Sequence, residues 1–203
     1  MKGLLLGAVV GHLLCGVCDC LLIYLPNGRF RFGDMKDNRK LSAAFQGLPL
    51  RNPLLSMLLG CLAMCLFTLG YLALCDWINA FSGTCAALMR VGCVVVATFG
   101  MAHHVFCGVS EWLYVRLGRT REALDIINEF FKKTSITMIA CYLGFLIFGV
   151  TFFAAVVTGM TPLPRWACVF NVLPLMLALF PLRVGGAGNW AGAIMFAGLY
   201  FLL

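Results

Sequence analysis

The run GLLLGAVVGHLLCGVCDCLLIYL, from Gly3 to Leu25, decides the class of fold. Its only strongly polar side chains are His12 and Asp19. A helix crosses a hydrocarbon core of about 30 Å with about 20 such residues, at about 1.5 Å of rise each. The apolar positions are continuous rather than alternating in short segments, so a helix is predicted and not a barrel strand. Five further runs follow: Leu54 to Cys75, Gly92 to Val115, Ile136 to Thr158, Trp166 to Phe180 and Val184 to Leu203. The fifth is short and holds Pro174, which a membrane helix tolerates where neighbours satisfy the freed carbonyl. Composition agrees: of 203 residues, 62% are hydrophobic and 11% charged, with a mean hydropathy of +0.96. Soluble domains carry about 25% charged residues, so a water-soluble globule is excluded. The expected fold is a single all-α domain over residues 1–203, a polytopic membrane protein of six transmembrane helices.

Met1-Lys2 followed by an apolar run imitates a secretion signal. No small-residue cleavage site follows it, so an uncleaved first span is expected. Arg29, Arg31, Lys36, Arg39, Lys40 and Arg51 lie between runs one and two; Arg116, Arg119, Arg121, Lys132 and Lys133 lie between three and four; Arg183 lies between five and six. Twelve of the fifteen basic residues thus share one side, and only Lys2, Arg90 and Arg165 fall on the other. By the positive-inside rule the basic loops face the cytoplasm and both termini lie outside it, which suits a cell (inner) membrane. Anionic lipid headgroups are the partner that a net charge of +7 implies, and no nucleic acid is needed to explain it. Within those loops, Thr120 to Ser135 reads as a short interfacial helix, with Leu124, Ile127 and Phe131 on one face and a Glu129–Lys133 pair at i, i+4. Pro26 to Asn52 reads as a headgroup-contacting loop, irregular near Gly28 and Gly33.

His12 to Leu21 and His104 to Leu113 share the pattern His-x-x-Cys-Gly-Val-x-acid-x-Leu. Each stands in a span of the same direction, followed by a basic loop and another span. That arrangement suggests a duplicated two-helix hairpin, a parallel internal repeat of the kind found in transporters.

Ionisable groups inside a span cost about 2.5–3.5 kcal/mol on insertion scales, so each is a site hypothesis by default. Asp19 lies about 10 Å from the cytoplasmic end of its span by the helical rise. Glu111 and Asn189 fall at a similar depth in spans three and six. One layer further in are His12 and His104. Seven residues turn a helix through about 700°, so His12 shares a face with Asp19, and His104 with Glu111. His103 points about 100° from its neighbour, so the two histidines are not expected to face one pocket centre together. If the two faces meet, two imidazoles stand above two carboxylates, equipment for moving a proton or binding a cation. The bland alternatives are specific too. Glu111 could snorkel or pair with an arginine, His103 could be a packing hydrogen bonder, and Asn171 and Asn189 could be interhelical glue.

Cys15, Cys18 and Cys20 form Cys-x-x-Cys-x-Cys, a metal-like spacing on a soluble loop. On an apolar helix Cys20 points elsewhere, and the eleven cysteines read as small apolar residues. His12, His104 and Asp19 are suitable zinc ligand types, but the sequence leaves the metal unknown. No phosphate-binding glycine loop is present, and no cofactor is predicted.

Cys18-Asp19-Cys20-Leu21-Leu22-Ile23-Tyr24 resembles the Gly-Asp-x-Leu-Leu-x-Tyr stretch that opens a group of six-helix bacterial integral membrane proteins of unknown function. Gly100-Met101-Ala102-His103 resembles that group's histidine in span three. Leu163-Pro164-Arg165-Trp166, Phe170-Asn171 and Gly185-Gly186-Ala187-Gly188-Asn189 are similar to its last two spans. Cys18 departs from the group's glycine, and the matching histidine is His103 where the repeat aligns His104. The resemblance implies a six-helix fold and a polar site around Asp19, a histidine and Asn189. It implies no activity.

Two function classes follow, and the hairpin repeat with its paired acids favours the first. One is a small-solute or proton-coupled transporter or binding protein in which Asp19 changes protonation; a chain this small would need a homo-oligomer to build a rocking transporter. The other is an intramembrane enzyme acting on a lipid or sterol-like substrate by histidine–carboxylate acid–base chemistry. A polar path through both leaflets favours the first, and a cavity closed outward but open sideways to lipid favours the second.

Overall fold

Every apolar run becomes helical in the computed structural model, which describes residues 1–203. The longer elements are α1 (Lys2–Ile23), α2 (Asn38–Phe45), α3 (Arg51–Asn79), α4 (Gly83–Val95), α5 (Met101–Arg116), α6 (Arg121–Thr134), α7 (Ile136–Val157), α8 (Val172–Leu179) and α9 (Ala187–Leu202). A π-turn at Val96–Gly100 joins α4 and α5 into one rod, Gly83–Arg116. That rod starts well before the Gly92 expected from hydropathy, because Ser82 caps it by accepting from Cys85 N–H at 3.2 Å.

Four helices are long and apolar enough to cross a membrane: Lys2–Ile23, Arg51–Asn79, Gly83–Arg116 and Arg121–Val157. The last two runs of the sequence fold instead as shorter apolar helices, Val172–Leu182 and Ala187–Leu202. The reason for the fifth is local. Asn171 adopts extended backbone and its side chain accepts from Leu173 N–H, so it starts a helix rather than continuing one. Pro174 then falls in the first turn, where its missing N–H has no intrahelical duty. The sixth run is delayed by Arg183 and Gly186, both in the left-handed region, so its helix begins at Ala187 and not at Val184.

α3 is the central helix. α1 lies between α3 and α9, α4 packs on both α3 and α7, and α8 leans on α9. Small residues set the closest crossings. A Cβ on Gly11 would stand 2.7 Å from Ala63 O, and one on Gly92 would stand 2.8 Å from Gly144 O. Backbones in contact gain dispersion energy where lipid offers no hydrophobic drive between helices. The half of the bundle away from the basic loops is filled by apolar and aromatic side chains, with Phe148, Phe152, Phe196 and Leu74 fully buried and Phe67 and Tyr71 nearly so. Outward-facing positions are also apolar: Leu58 is 72% exposed, Ile139 58% and Val150 57%. Such a surface suits acyl chains rather than water.

The loops carrying most of the basic residues converge at one end and build a small core of their own. Leu25, Leu41, Phe45, Leu48, Tyr114, Ala123, Leu124 and Ile127 are buried together. Tyr114 Oη donates to Asn38 Oδ1 at 2.8 Å, and Asn128 Nδ2 donates to Met35 O at 3.0 Å. The segment from Pro26 to Asn52 is therefore not a bare loop. It opens with a two-residue hairpin (Tyr24–Leu25 paired with Gly28–Arg29) and contains α2, which is capped by Asp37 accepting from Arg39 N–H and Lys40 N–H. The helix expected between Thr120 and Ser135 is present as α6, with its apolar face turned into this cap.

Candidate functional site

Four helices bring one polar chain together. His12 on α1 donates from Nδ1 to Asn189 Oδ1 on α9 at 3.0 Å, and Asn189 Nδ2 donates to Asp19 Oδ2 at 2.8 Å. Asp19 Oδ1 then stands 3.3 Å from His104 Nδ1 on α5. His104 Nε2 donates to the carbonyl of Ser56 on α3 at 3.0 Å, and Ser56 Oγ donates to Cys18 O at 2.9 Å. The direction at each histidine follows from its partner, since a carbonyl or amide oxygen can only accept.

Each link has a cause in the helices that hold it. His12 and Asp19 share one face of α1, and Gly192 on α9 clears the space that His12 occupies: a Cβ there would stand 2.4 Å from the imidazole. His12 is fully buried and stacks on Phe67 with ring centroids 4.2 Å apart and planes 6° from parallel. Gly60 does the same for His104, since a Cβ there would stand 2.2 Å from Nε2. The π-turn three residues before His103 changes the angular register of α5 relative to α4, a device common beside functional sites.

The chain borders a cavity of about 1280 Å³. Asp19, His104 and Asn189 lie within it, over a floor that includes Met64, Phe67 and Val96. Arg29, Arg31 and Arg183 belong to its lining at the basic end. One wall is Met138, Tyr142 and Phe145 of α7, and another is Met176, Leu177 and Phe180 at the end of α8. These two walls diverge. α7 and α8 touch near Gly149, where Asn171 Nδ2 donates to Gly149 O at 2.9 Å. Toward the basic end Leu177 and Phe180 are more than three-quarters exposed while still lining the cavity, so the opening runs sideways as well as endwise.

The remaining candidates are distributed around this centre. His103 also lines the cavity, on the wall toward α7, where Thr137 Oγ1 and Cys107 Sγ are its partners at 3.3 and 3.6 Å. Both neighbouring histidines therefore border one cavity but turn to different walls, His103 to Thr137 and Cys107 and His104 to Asp19 and Ser56. Glu111 lines the cavity and is buried, with Oε2 lacking any partner; it neither snorkels nor meets an arginine. The expected stack of two imidazoles over two carboxylates is thus replaced by a chain through Asn189, and Glu111 stands outside it. The surroundings of the two repeat-like segments differ accordingly, since His12 meets an amide and His104 a carboxylate. Asn171 is buried away from the cavity as the cap of α8. Ser56 went unnoticed in the sequence, being one hydroxyl in an apolar helix whose decisive atom is its backbone oxygen.

The chain matches the model of a family of unknown function, DUF6796, over residues 1–199. It belongs to that family. Comparison with curated proteins and with solved structures finds no match. DUF6796 therefore supplies membership across nearly the whole chain and no chemistry.

Proposed function

We propose that this protein is an intramembrane enzyme that takes an amphiphile with an anionic head from the cytoplasmic leaflet and handles a proton on it through Asp19 and His104. In this reading the two shorter helices complete a six-segment bundle. α9 with its 16 residues covers about 24 Å at the helical rise, close to a thinned hydrocarbon core. The clustered basic loops face the cytoplasm and both termini face outward.

The observation that carries the proposal is the cavity's polarity gradient. Arg29, Arg31 and Arg183 offer guanidinium groups at headgroup level, apolar side chains of α7 and α8 line the sideways opening, and a carboxylate–imidazole pair waits inside. Guanidinium forks suit phosphate or carboxylate heads, and an apolar slot suits an acyl tail. Transport of a small solute asks for a second exit, and that half of the bundle is filled by Tyr71, Phe148, Phe152 and Phe196. A carboxylate beside an imidazole can accept a proton from a bound group and return it, the minimum equipment of general acid–base catalysis.

The test is Asp19→Asn, which keeps the shape of the side chain and its contact with Asn189 while removing the base. Wild type and variant, reconstituted in liposomes of extracted membrane lipids, are compared by lipid mass spectrometry and by proton flux. The proposal expects one lipid class to be converted by wild type and at least about a hundredfold more slowly by the variant. Proton flux that depends on Asp19, with no lipid converted, would overturn it in favour of transport.

A further inference from the structure

The geometry points to a metal site: Cys15, Asp19 and His104 hold one divalent transition-metal ion of the zinc class, with a fourth position open to the cavity. The inference deepens the enzymatic reading above and rests on it for the use of the ion: with the ion bound, Asp19 and His104 would serve as its ligands and a water at the open position would handle the proton, while the binding itself is independent of any substrate.

The two ring nitrogens of His104 have different partners. Its Nε2 donates to the Ser56 carbonyl at 3.0 Å, which fixes a proton on that nitrogen. Nδ1 is then left facing Asp19 Oδ1 at 3.3 Å. Two lone pairs do not approach that closely unless a cation lies between them. A second proton on the ring is one such cation, and a metal ion is the other. A third donor beside the pair favours the ion. Cys15 Sγ, an Asp19 carboxylate oxygen and a His104 ring nitrogen lie within 4.8 Å of one another, and Cys15 and His104 are both buried. A proton needs two partners and has no use for a thiol; a zinc-class ion uses all three.

The distances agree with a tetrahedral centre. With metal–nitrogen and metal–oxygen bonds of about 2.0–2.1 Å, neighbouring ligand atoms stand about 3.3 Å apart, the separation of Asp19 and His104. A sulfur at about 2.3 Å from the metal stands about 3.6 Å from the other ligands, so from a separation of at most 4.8 Å closure draws the thiol inward by no more than about 1.2 Å. Two of the ligands are held by an outer partner of the kind metal sites use: His104 by the Ser56 carbonyl, and Asp19 by Asn189, which His12 orients in turn. Asp19 retains 22% of its side-chain exposure, toward the cavity. Three protein ligands with one open position mark catalytic rather than structural zinc sites.

The ligand set differs from the one suggested by residue types alone. His12 is one hydrogen bond removed from the centre, and Cys15, which hydropathy files as a small apolar residue, takes its place.

The experiment uses the full chain purified through a tag without histidine, into nanodiscs, and loaded with Zn²⁺ or Co²⁺ alone. Wild type is expected to retain about one Zn²⁺ per chain by elemental mass spectrometry. Co²⁺-loaded wild type is expected to show tetrahedral d–d bands together with a near-ultraviolet sulfur-to-cobalt charge-transfer band. Cys15→Ala should lose the charge-transfer band and weaken Zn²⁺ retention at least tenfold, and His104→Ala should abolish retention. Gly188→Leu, which narrows the cavity beside the centre, should keep the metal. Wild type that binds neither ion, or a charge-transfer band unchanged in Cys15→Ala, overturns the assignment. The wild-type spectrum requires no variant to fold. Metal bound without lipid conversion would overturn the enzymatic reading and leave the site standing.

Discussion

Asn189 donates from Nδ2 to Asp19 Oδ2 at 2.8 Å, closing the distance between the last helix and the first. Its Oδ1 accepts from His12 Nδ1 at the same time. One amide thus pairs with one nitrogen of a fully buried imidazole and with a partly buried carboxylate, while His12 Nε2 has no partner. Asn189→Ala removes both bonds and leaves a buried N–H and a carboxylate oxygen unmatched. The expected loss is about 2–4 kcal/mol, from one neutral and one charge-assisted hydrogen bond. Denaturant unfolding in micelles, followed by tryptophan fluorescence, measures it.

Gly60 is the floor on which His104 stands. A Cβ there would come within 2.2 Å of Nε2, and the ring is tied at both nitrogens, so it cannot swing away freely. Gly60→Ala is expected to destabilise the fold by about 1–3 kcal/mol through overpacking. The same change pushes His104 off Asp19. A thermal-shift assay reads the first effect, and loss of the Asp19-dependent activity reads the second.

Ser56 offers a finer distinction. Its carbonyl accepts from His104 Nε2 at 3.0 Å and its hydroxyl donates to the Cys18 carbonyl at 2.9 Å; the hydroxyl oxygen also lies 3.3 Å from Nε2, so the shorter contact with His104 is the one that does not depend on the side chain. Ser56→Ala should lower stability by about 1 kcal/mol, the net worth of one hydrogen bond, and leave the activity attributed to His104 within about threefold of wild type. A loss as large as that of His104→Ala would show that the hydroxyl itself positions the imidazole.

The sequence carried the helical class and the polar layer, and it missed the spatial partners. Continuous apolar runs located α1, α3, α5 and α7 because burial in lipid needs length and composition, both visible in one dimension. It overextended α8 because hydropathy counts Trp166 to Phe180 as uniformly apolar and does not see that Asn171 caps a helix instead of bridging two. α2 hid in a charged segment whose signal was the Asp37 cap. Heptad arithmetic put His12 with Asp19 on one face of α1, as that helix holds them, but pairing across helices depends on crossings set by Gly11, Gly60 and Gly192. Gly60 makes room for His104 and Gly192 for His12, contacts that no reading along one helix contains.

Orientation is open to a direct test. The basic end gathers Arg29, Arg39, Arg119, Arg121 and Arg183, with Arg29 donating to the Arg183 carbonyl and Arg119 Nη1 donating to Phe45 O at 3.2 Å. Reporter fusions at the C-terminus and within the α5–α6 turn, expressed in bacteria, should give opposite results. The terminal fusion is expected to be active only with the outward reporter, and the turn fusion only with the cytoplasmic one.

The central claim is that the cavity between α7, α8 and the Asp19–His104 pair holds a membrane amphiphile with an anionic head. Native mass spectrometry of the purified protein measures this most directly, comparing wild type with Gly188→Leu. Gly188 lines the cavity, and a Cβ there meets nothing nearer than Met176 Cε at 3.8 Å, so a leucine side chain starts into open space and narrows the cavity beside Asn189. Wild type should retain one anionic amphiphile per chain and the variant should lose it while unfolding at the same temperature. Equal retention by both, or retention of neutral lipids alone, would contradict the account.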